Sequence, residues 1–224
     1  MKRITGTLLF LLAICYPVHA QIGMDFLRKP LSFTKVFHPV VGQGAEYQMT
    51  KSGPNQRVTT MQLGIVGKDS VGGQDAYWMQ MVMNMESNQS MVSKMLLTTG
   101  DFQPTRVIMQ MPGRPAMEMP MNMNAMNREK INSSLQDWHS AGTESVTVPA
   151  GTFSCEHWKN DKTGDEVWTS DKVSPFGVVK SSSKDSSMVL VKVLSDYQDR
   201  ITGPVQKFDP QMMMQQMQHG QQPQ

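Results

Sequence analysis

Cysteine is nearly missing from this sequence: two residues, Cys15 and Cys155, in a chain of 224. A disulfide-stapled secreted scaffold needs an even, closely spaced set, and a zinc or redox motif needs C-x-x-C; neither is present. Charge imbalance is missing too. The formal net charge is +2, which provides no field to hold nucleic acid or an anionic membrane surface. Long apolar runs are absent: the best, Thr7 to Tyr16, falls well short of the roughly 20 residues that span a bilayer as a helix. Enzyme signatures are absent as well. There is no G-x-S-x-G elbow, no H-E-x-x-H and no glycine-rich phosphate loop, and Gly42-Gln43-Gly44 lacks the strand–loop–helix setting such a loop requires. The expectation is a non-enzymatic protein without a cofactor.

The first twenty residues read as an export signal. Met1-Lys2-Arg3 is basic, Thr7–Tyr16 is apolar, and Pro17-Val18-His19-Ala20 ends on small residues at the recognition positions. Cleavage after Ala20 across a bacterial inner membrane would leave Gln21 first, a periplasmic chain of 204 residues and, without Lys2 and Arg3, a net charge of zero. Secretion is an alternative. So is lipid anchoring at Cys15, although Ile14 is bulky where a lipoprotein signal carries a small residue. Residues 21–34 form an N-terminal segment, 35–202 the folded domain, and 203–224 a tail rich in Met, Gln and Pro that reads as disordered.

What the chain has in abundance is methionine: 22 residues, fifteen of them between Met49 and Met126. They follow the two-residue period of a strand. Tyr77, Met79, Met81, Met83 and Met85 share one face, with Trp78, Gln80, Val82 and Asn84 opposite. Val107, Met109 and Met111 repeat the pattern, as do Met117, Met119, Met121 and Met123. Strands are expected at 44–51, 58–67, 77–85, 91–97, 105–111, 116–123, 144–148, 152–159, 166–169, 178–182 and 187–194, separated by Gly, Pro and Asn turns. Ile131, Leu135 and Trp138 lie at helical spacing, so one helix is expected over 127–138, ending before Gly142. The fold class that follows is mainly β: a single large, curved antiparallel sheet.

Residues 142–193 carry a more specific pattern. Val148-Pro149-Ala150-Gly151-Thr152-Phe153-Ser154-Cys155 is followed by Trp168, Ser170, Val173, Pro175, Gly177, Val179 and Lys180, and then by an apolar strand. This resembles a group of uncharacterised bacterial periplasmic domains that share the fold of the outer-membrane lipoprotein carrier LolA. The resemblance covers about a quarter of the chain. It implies a half-open antiparallel barrel with one or two helices on its concave side, and a concave face suited to acyl chains. The carrier's lid-holding arginine finds no counterpart by motif among Arg106, Arg114 and Arg128, so the resemblance implies a shape and not lipoprotein transport.

Three uses of the methionines compete. As unbranched, pliable side chains they fill irregular cores. As a soft surface they accommodate varied apolar shapes, making Met79, Met81, Met83, Met85, Met109, Met111, Met117, Met119 and Met121 candidate ligand contacts for a lipid, an acyl chain or another apolar molecule. As thioethers they select copper(I) and similar soft ions. Two methionines on one strand face sit roughly 6–7 Å apart, too far to share one small ion easily. A metal site therefore needs methionines from neighbouring strands, or the tail cluster Met212, Met213, Met214, Met217 and His219. The expectation is a core without a tight site and any binding in the tail. An outer-membrane or envelope protein is a further candidate partner, and an interaction module without a small ligand a further alternative. Cys155 and His157 share a strand face, no acidic partner is identifiable, and both are expected to serve packing, as are Trp158 and Trp168.

Overall fold

The structure, a computed structural model, describes residues 37–53, 56–84, 89–99, 104–120 and 137–208. Twelve strands form one sheet: β1 Gly44–Lys51, β2 Arg57–Val71, β3 Gln74–Asn84, β4 Ser90–Thr98, β5 Pro104–Gln110, β6 Met117–Met119, β7 Trp138–Val148, β8 Gly151–Asn160, β9 Asp165–Thr169, β10 Val178–Ser182, β11 Ser186–Leu194 and β12 Gln206–Lys207. Their order is β12-β6-β5-β4-β3-β2-β1-β11-β10-β9-β8-β7. Two meanders thus meet back to back. β1–β6 runs one way along the sheet, β7–β11 runs the other, and β1 against β11 is the seam. Every pairing is antiparallel except β12 beside β6.

Register decides which side chains share a face, because directly paired residues point the same way. Across β2–β6 one face carries three rows: Met61, Met83 and Met91; then Leu63, Met81, Ser93, Met109 and Met117; then Ile65, Met79, Met95, Val107 and Met119. Met61, Leu63, Ile65, Met79 and Met81 are all but fully buried and continue into Ala45, Tyr47, Met188 and Leu190 at the seam. Tyr47 brings a hydroxyl into this apolar interior and donates it to the Val178 carbonyl at 3.0 Å. Burial pushes its ionisation well above the ordinary phenol range.

The opposite face is covered by the chain's own end. After β11, residues 195–208 cross the sheet as a strap. The Tyr197 amide donates to the Gly42 carbonyl at 2.7 Å, and its ring lies on Gly64, where an added Cβ would fall 2.4 Å from Cδ1. The Gln80 side chain, fully buried, donates to the Gln198 carbonyl at 3.0 Å and accepts from the Arg200 amide at 2.8 Å. Lys94 pairs with Asp199 at 2.5 Å, and the Gln110 side chain accepts from the Thr202 amide at 3.2 Å. The Gln206 amide then donates to the Ala116 carbonyl and that of Phe208 to Glu118, which closes the strap onto β6. Val82, Val92 and Tyr197 form a second, smaller apolar cluster beneath it, with Ile201 against them.

Several expectations are met and others corrected. One large sheet is present, with twelve strands among the described residues where ten or eleven were expected. Among the described residues there is no helix. The expected helix falls mostly on residues outside the described ones, and its last member, Trp138, opens β7. Gly142 does not end an element: it sits inside β7 at a register shift, with φ of 104°, a conformation that glycine adopts without strain. The expected disordered tail begins too early at 203, since 203–208 belong to the strap. Residues 1–34, Met85, Met121, Met123, Arg128 and the Met212–His219 cluster all lie outside the described residues.

Candidate functional site

The methionine face has two zones. Toward the seam Met79 and Met81 are 0% and 3% exposed, so these two candidates are core: any ligand would have to displace packed side chains to reach them. The rows open in two directions, at the Met83 end of β3 and across β5 and β6 toward the β12 end of the sheet. Met83, Met109, Met117 and Met119 are partly buried, and Met111, just beyond β5, is 40% exposed. Of the thirteen positions in the three rows nine are methionine, and the other four are Leu63, Ile65, Val107 and Ser93. No carboxylate or ammonium group stands in them. Lys68 and Asp75, an ion pair at 2.8 Å, stand beyond the rows at the far end of β2 and β3, while Lys94, Arg106 and Glu118 lie on the opposite side, where Arg106 forks onto Glu118 at 2.7 and 3.1 Å. Both Lys94 and Arg106 sit over the Trp78 ring, 5.0 and 5.2 Å from its centroid. That ion pair holds the Glu118 carboxyl below its usual range, chiefly through the hydrogen bond from Arg106. Along the three rows polarity is therefore sorted by face: soft and apolar in front, charged and strapped behind.

A second constellation spans β7–β10. His157 lies opposite Trp168, and Trp168 opposite Lys180. The imidazole stacks on the indole at 4.3 Å between centroids, and Lys180 Nζ sits 4.6 Å from the centroid of the Trp168 ring. Glu144 Oε1 accepts from Trp168 Nε1 at 2.5 Å and lies 3.0 Å from His157 Nδ1. On the other side of the ring, His157 Nε2 is 3.6 Å from Glu166 Oε2, without a hydrogen bond. Glu166 is held below its usual range first by the hydrogen bond from Lys159, 3.0 Å away, and also by His157. The expectation that His157 has no acidic partner is corrected: Glu144 and Glu166 reach it from the strands on either side of β8.

Cys155 does not complete a nucleophilic pair. Its side chain is fully buried in the main core, and its thiol donates weakly to the Phe153 carbonyl at 3.7 Å. Burial, with the nearby Glu144 charge, pushes the thiol up to about 11, the opposite of an activated cysteine. Alkylation of Cys155 in the folded protein by iodoacetamide is expected to rise about tenfold per pH unit up to pH 10 without levelling, because the thiolate fraction keeps growing. Levelling between about pH 9 and pH 10, just above the ordinary thiol value, would show an unperturbed thiol.

The residues matched by the sequence pattern prove to be architectural. Val173 and Val179 are fully buried, and Pro175 and Gly177 shape the β9–β10 loop. The Ser170 amide donates to the Gly177 carbonyl and the Gly177 amide to Val173, each at 2.7 Å. Phe176 packs on Phe37 at 5.3 Å between centroids. Trp158 donates from its indole to Thr169 at 3.2 Å. Among the described residues no group of three or more His, Cys, Asp or Glu could hold a metal ion.

No protein-family model matches the chain, and a search of curated proteins finds no match. Solved structures do. A protein of Bacteroides fragilis NCTC 9343, described as exported and of YmcC-like fold, is 15% identical with a TM-score of 0.37, over 70% of this chain and 98% of that one. A protein of Parabacteroides distasonis ATCC 8503, described as a lipoprotein, is 14% identical with a TM-score of 0.38, over 70% and 97%. MucB is 10% identical with a TM-score of 0.42, over 81% of this chain and 62% of MucB.

Proposed function

We propose that this chain is an exported protein of the bacterial envelope that binds a lipid, an acyl chain or another apolar molecule on the methionine face of β3–β6. The observation that carries the reading is the graded burial of that face. The same three rows run without a break from fully buried core at Met79 and Met81 to partly exposed thioethers at Met83, Met109, Met117 and Met119. A surface continuous with the core, free of charge and built from the most pliable apolar side chain suits an occupant of variable shape. Each methylene covered there contributes roughly 0.8 kcal/mol, so a chain of several carbons gains binding energy without a polar anchor. The non-enzymatic reading is supported by Cys155, whose thiol is raised and not activated.

The test is displacement of a fluorescent fatty acid. Wild-type protein is expected to show saturable uptake. Replacing Met83, Met109 and Met117 together by leucine keeps apolarity and approximate volume, so stability should change by less than about 1.5 kcal/mol per site, while affinity for the probe shifts severalfold. Replacing Met79 and Met81 by leucine, inside the core, should leave affinity unchanged. Absence of saturable uptake of any acyl probe by the wild type would end this reading.

A further inference from the structure

We propose that the outer part of the methionine face, Met109 and Met117 with Met119 beside them, is a binding site for a soft monovalent cation, copper(I) or silver(I), held by thioether sulfur. The proposal goes beyond apolar-ligand binding and does not depend on it, since the two ligands use different chemistry of the same side chains, the thioether sulfur here and the apolar surface there.

The spacing objection to a metal in the sheet concerns one strand at a time. The ladder supplies what a single strand lacks. Met109 on β5 is directly opposite Met117 on β6, and directly paired residues bring their Cβ atoms to roughly 4.5–5.5 Å. A methionine has three rotatable bonds beyond Cα, so two sulfurs starting from that separation converge on one ion without backbone movement. Met119, two residues along β6, is the diagonal neighbour of Met109 and opposite Val107, within the longer reach of a third thioether.

Access and charge select both the position and the ion. Met79 faces Met95 directly, but those side chains are 0% and 8% exposed and packed in the core. Met109, Met117 and Met119 are partly exposed near the end of the sheet, where the two-residue β12 lies beyond β6 with Gln206 beside Met117, and an ion can arrive there and shed water. The rows hold thioethers, aliphatic groups and the Ser93 hydroxyl, and no anion. Hard cations, which need carboxylate or carbonyl oxygen, find no ligand set there. A divalent ion would keep its full charge against neutral sulfur beside an apolar core, at a large desolvation cost. A single positive charge at a partly exposed edge is the case that neutral thioethers tolerate, and sulfur selects the soft members of that class.

The experiment uses the purified full chain and silver(I), which needs no reductant, titrated in competition with a chelator. Wild type is expected to bind one equivalent in the sheet. Changing Met109 and Met117 together to leucine should weaken silver binding at least tenfold. Changing Met212, Met213, Met214 and Met217 to leucine should cost less than the sheet variant does. A wild type that takes up no silver, a sheet variant that binds like wild type, or a tail variant that loses as much as the sheet variant, overturns the proposal. Should the sheet variant unfold, methyl-labelled methionine in the wild type decides: silver must shift the resonances of Met109, Met117 and Met119, and shifts confined to the tail methionines overturn the site. Fatty-acid displacement measured without metal reports separately on apolar binding, so failure of either reading is visible alone.

Discussion

Replacing Gly64 by alanine is expected to lower the melting temperature by about 10 °C. Gly64 lies on β2 opposite Gly44, and the two backbones approach closely under the strap. A Cβ at Gly64 would stand 2.4 and 2.8 Å from two ring carbons of Tyr197 and 2.8 Å from the backbone oxygen of Gln43. A flexible side-chain tip could swing away from such an intrusion. The Tyr197 ring cannot do so cheaply: it is 4% exposed, packed with Val82 and Val92, and its hydroxyl donates to the Gln80 carbonyl at 3.3 Å. The Gln43 carbonyl is fixed as well, because it accepts the Ile65 amide at 2.9 Å. Overpacking of this kind costs about 3 kcal/mol at the upper end of its usual range, and in a domain of this size each kcal/mol moves the midpoint by about 2–4 °C. Gly67, three residues along the same strand, is the control. A Cβ there would meet nothing closer than 3.6 Å, so the alanine variant should melt within a few degrees of wild type. Thermal melts followed by circular dichroism separate the two, and equal midpoints would show that the strap does not press on the sheet at Gly64.

The contrast between those two glycines marks where sequence reading stops. The front of the sheet is legible because its signal is local. Alternation over Met79, Met81 and Met83 gives a strand face whatever the rest of the chain does, and the expected strands at 44–51 and 178–182 coincide with β1 and β10. The back is not legible for the same reason. Trp78, Gln80 and Val82 mix polar and apolar on one side, which suits a solvent face and a covered face equally. What covers it, Tyr197 to Ile201, is short, polar and without periodicity. Its order comes from partners more than 100 residues away at Gln80 and Lys94, and no window of local sequence contains that information. β12 has only two residues, too few to show a period.

The partners of His157 fall between these cases. The Pro149-Ala150 corner fixes the β7–β8 register, pairing Val148 with Gly151 and hence Glu144 with Cys155. Glu144 is then the diagonal neighbour of His157, which the hairpin alone allows one to deduce. Glu166 follows from the next turn in the same way, since Asn160 pairs with Asp165 and Lys159 with Glu166. Counting outward from a turn recovers contacts that motif reading misses, and it succeeds where connections are short. The pairing of β1 with β11 spans most of the chain, and only the assembled sheet reveals it.

Replacing Gln80 by alanine should destabilise the protein by about 2–4 kcal/mol, from cavity formation and lost hydrogen bonds together, and should release the strap first. The amide of Gln80 is buried on the back face, and both of its ends are used by the strap: the nitrogen by Gln198, the oxygen by Arg200. Truncation leaves a choice of losses. If the strap stays, the Arg200 amide and the Gln198 carbonyl lose their partner beside an empty side-chain volume. If it lifts, Tyr197, Val82 and Val92 become wet, and β12 loses the segment that carries it to β6. Either way the amides of Arg200 and Ile201 should exchange with deuterium about tenfold faster or more, and protease should cut within 198–204 before the sheet opens. Leucine at the same position separates the two contributions. It fills nearly the same volume but offers neither donor nor acceptor, so a hydrogen-bonded strap predicts that the leucine variant also exchanges fast at Arg200 while recovering part of the stability. A leucine variant with wild-type exchange at Arg200 would mean that the strap is held by the packing of Tyr197 and its other contacts, Lys94 on Asp199 and Gln110 on Thr202 among them, and that the buried amide of Gln80 contributes nothing to closing the back of the sheet.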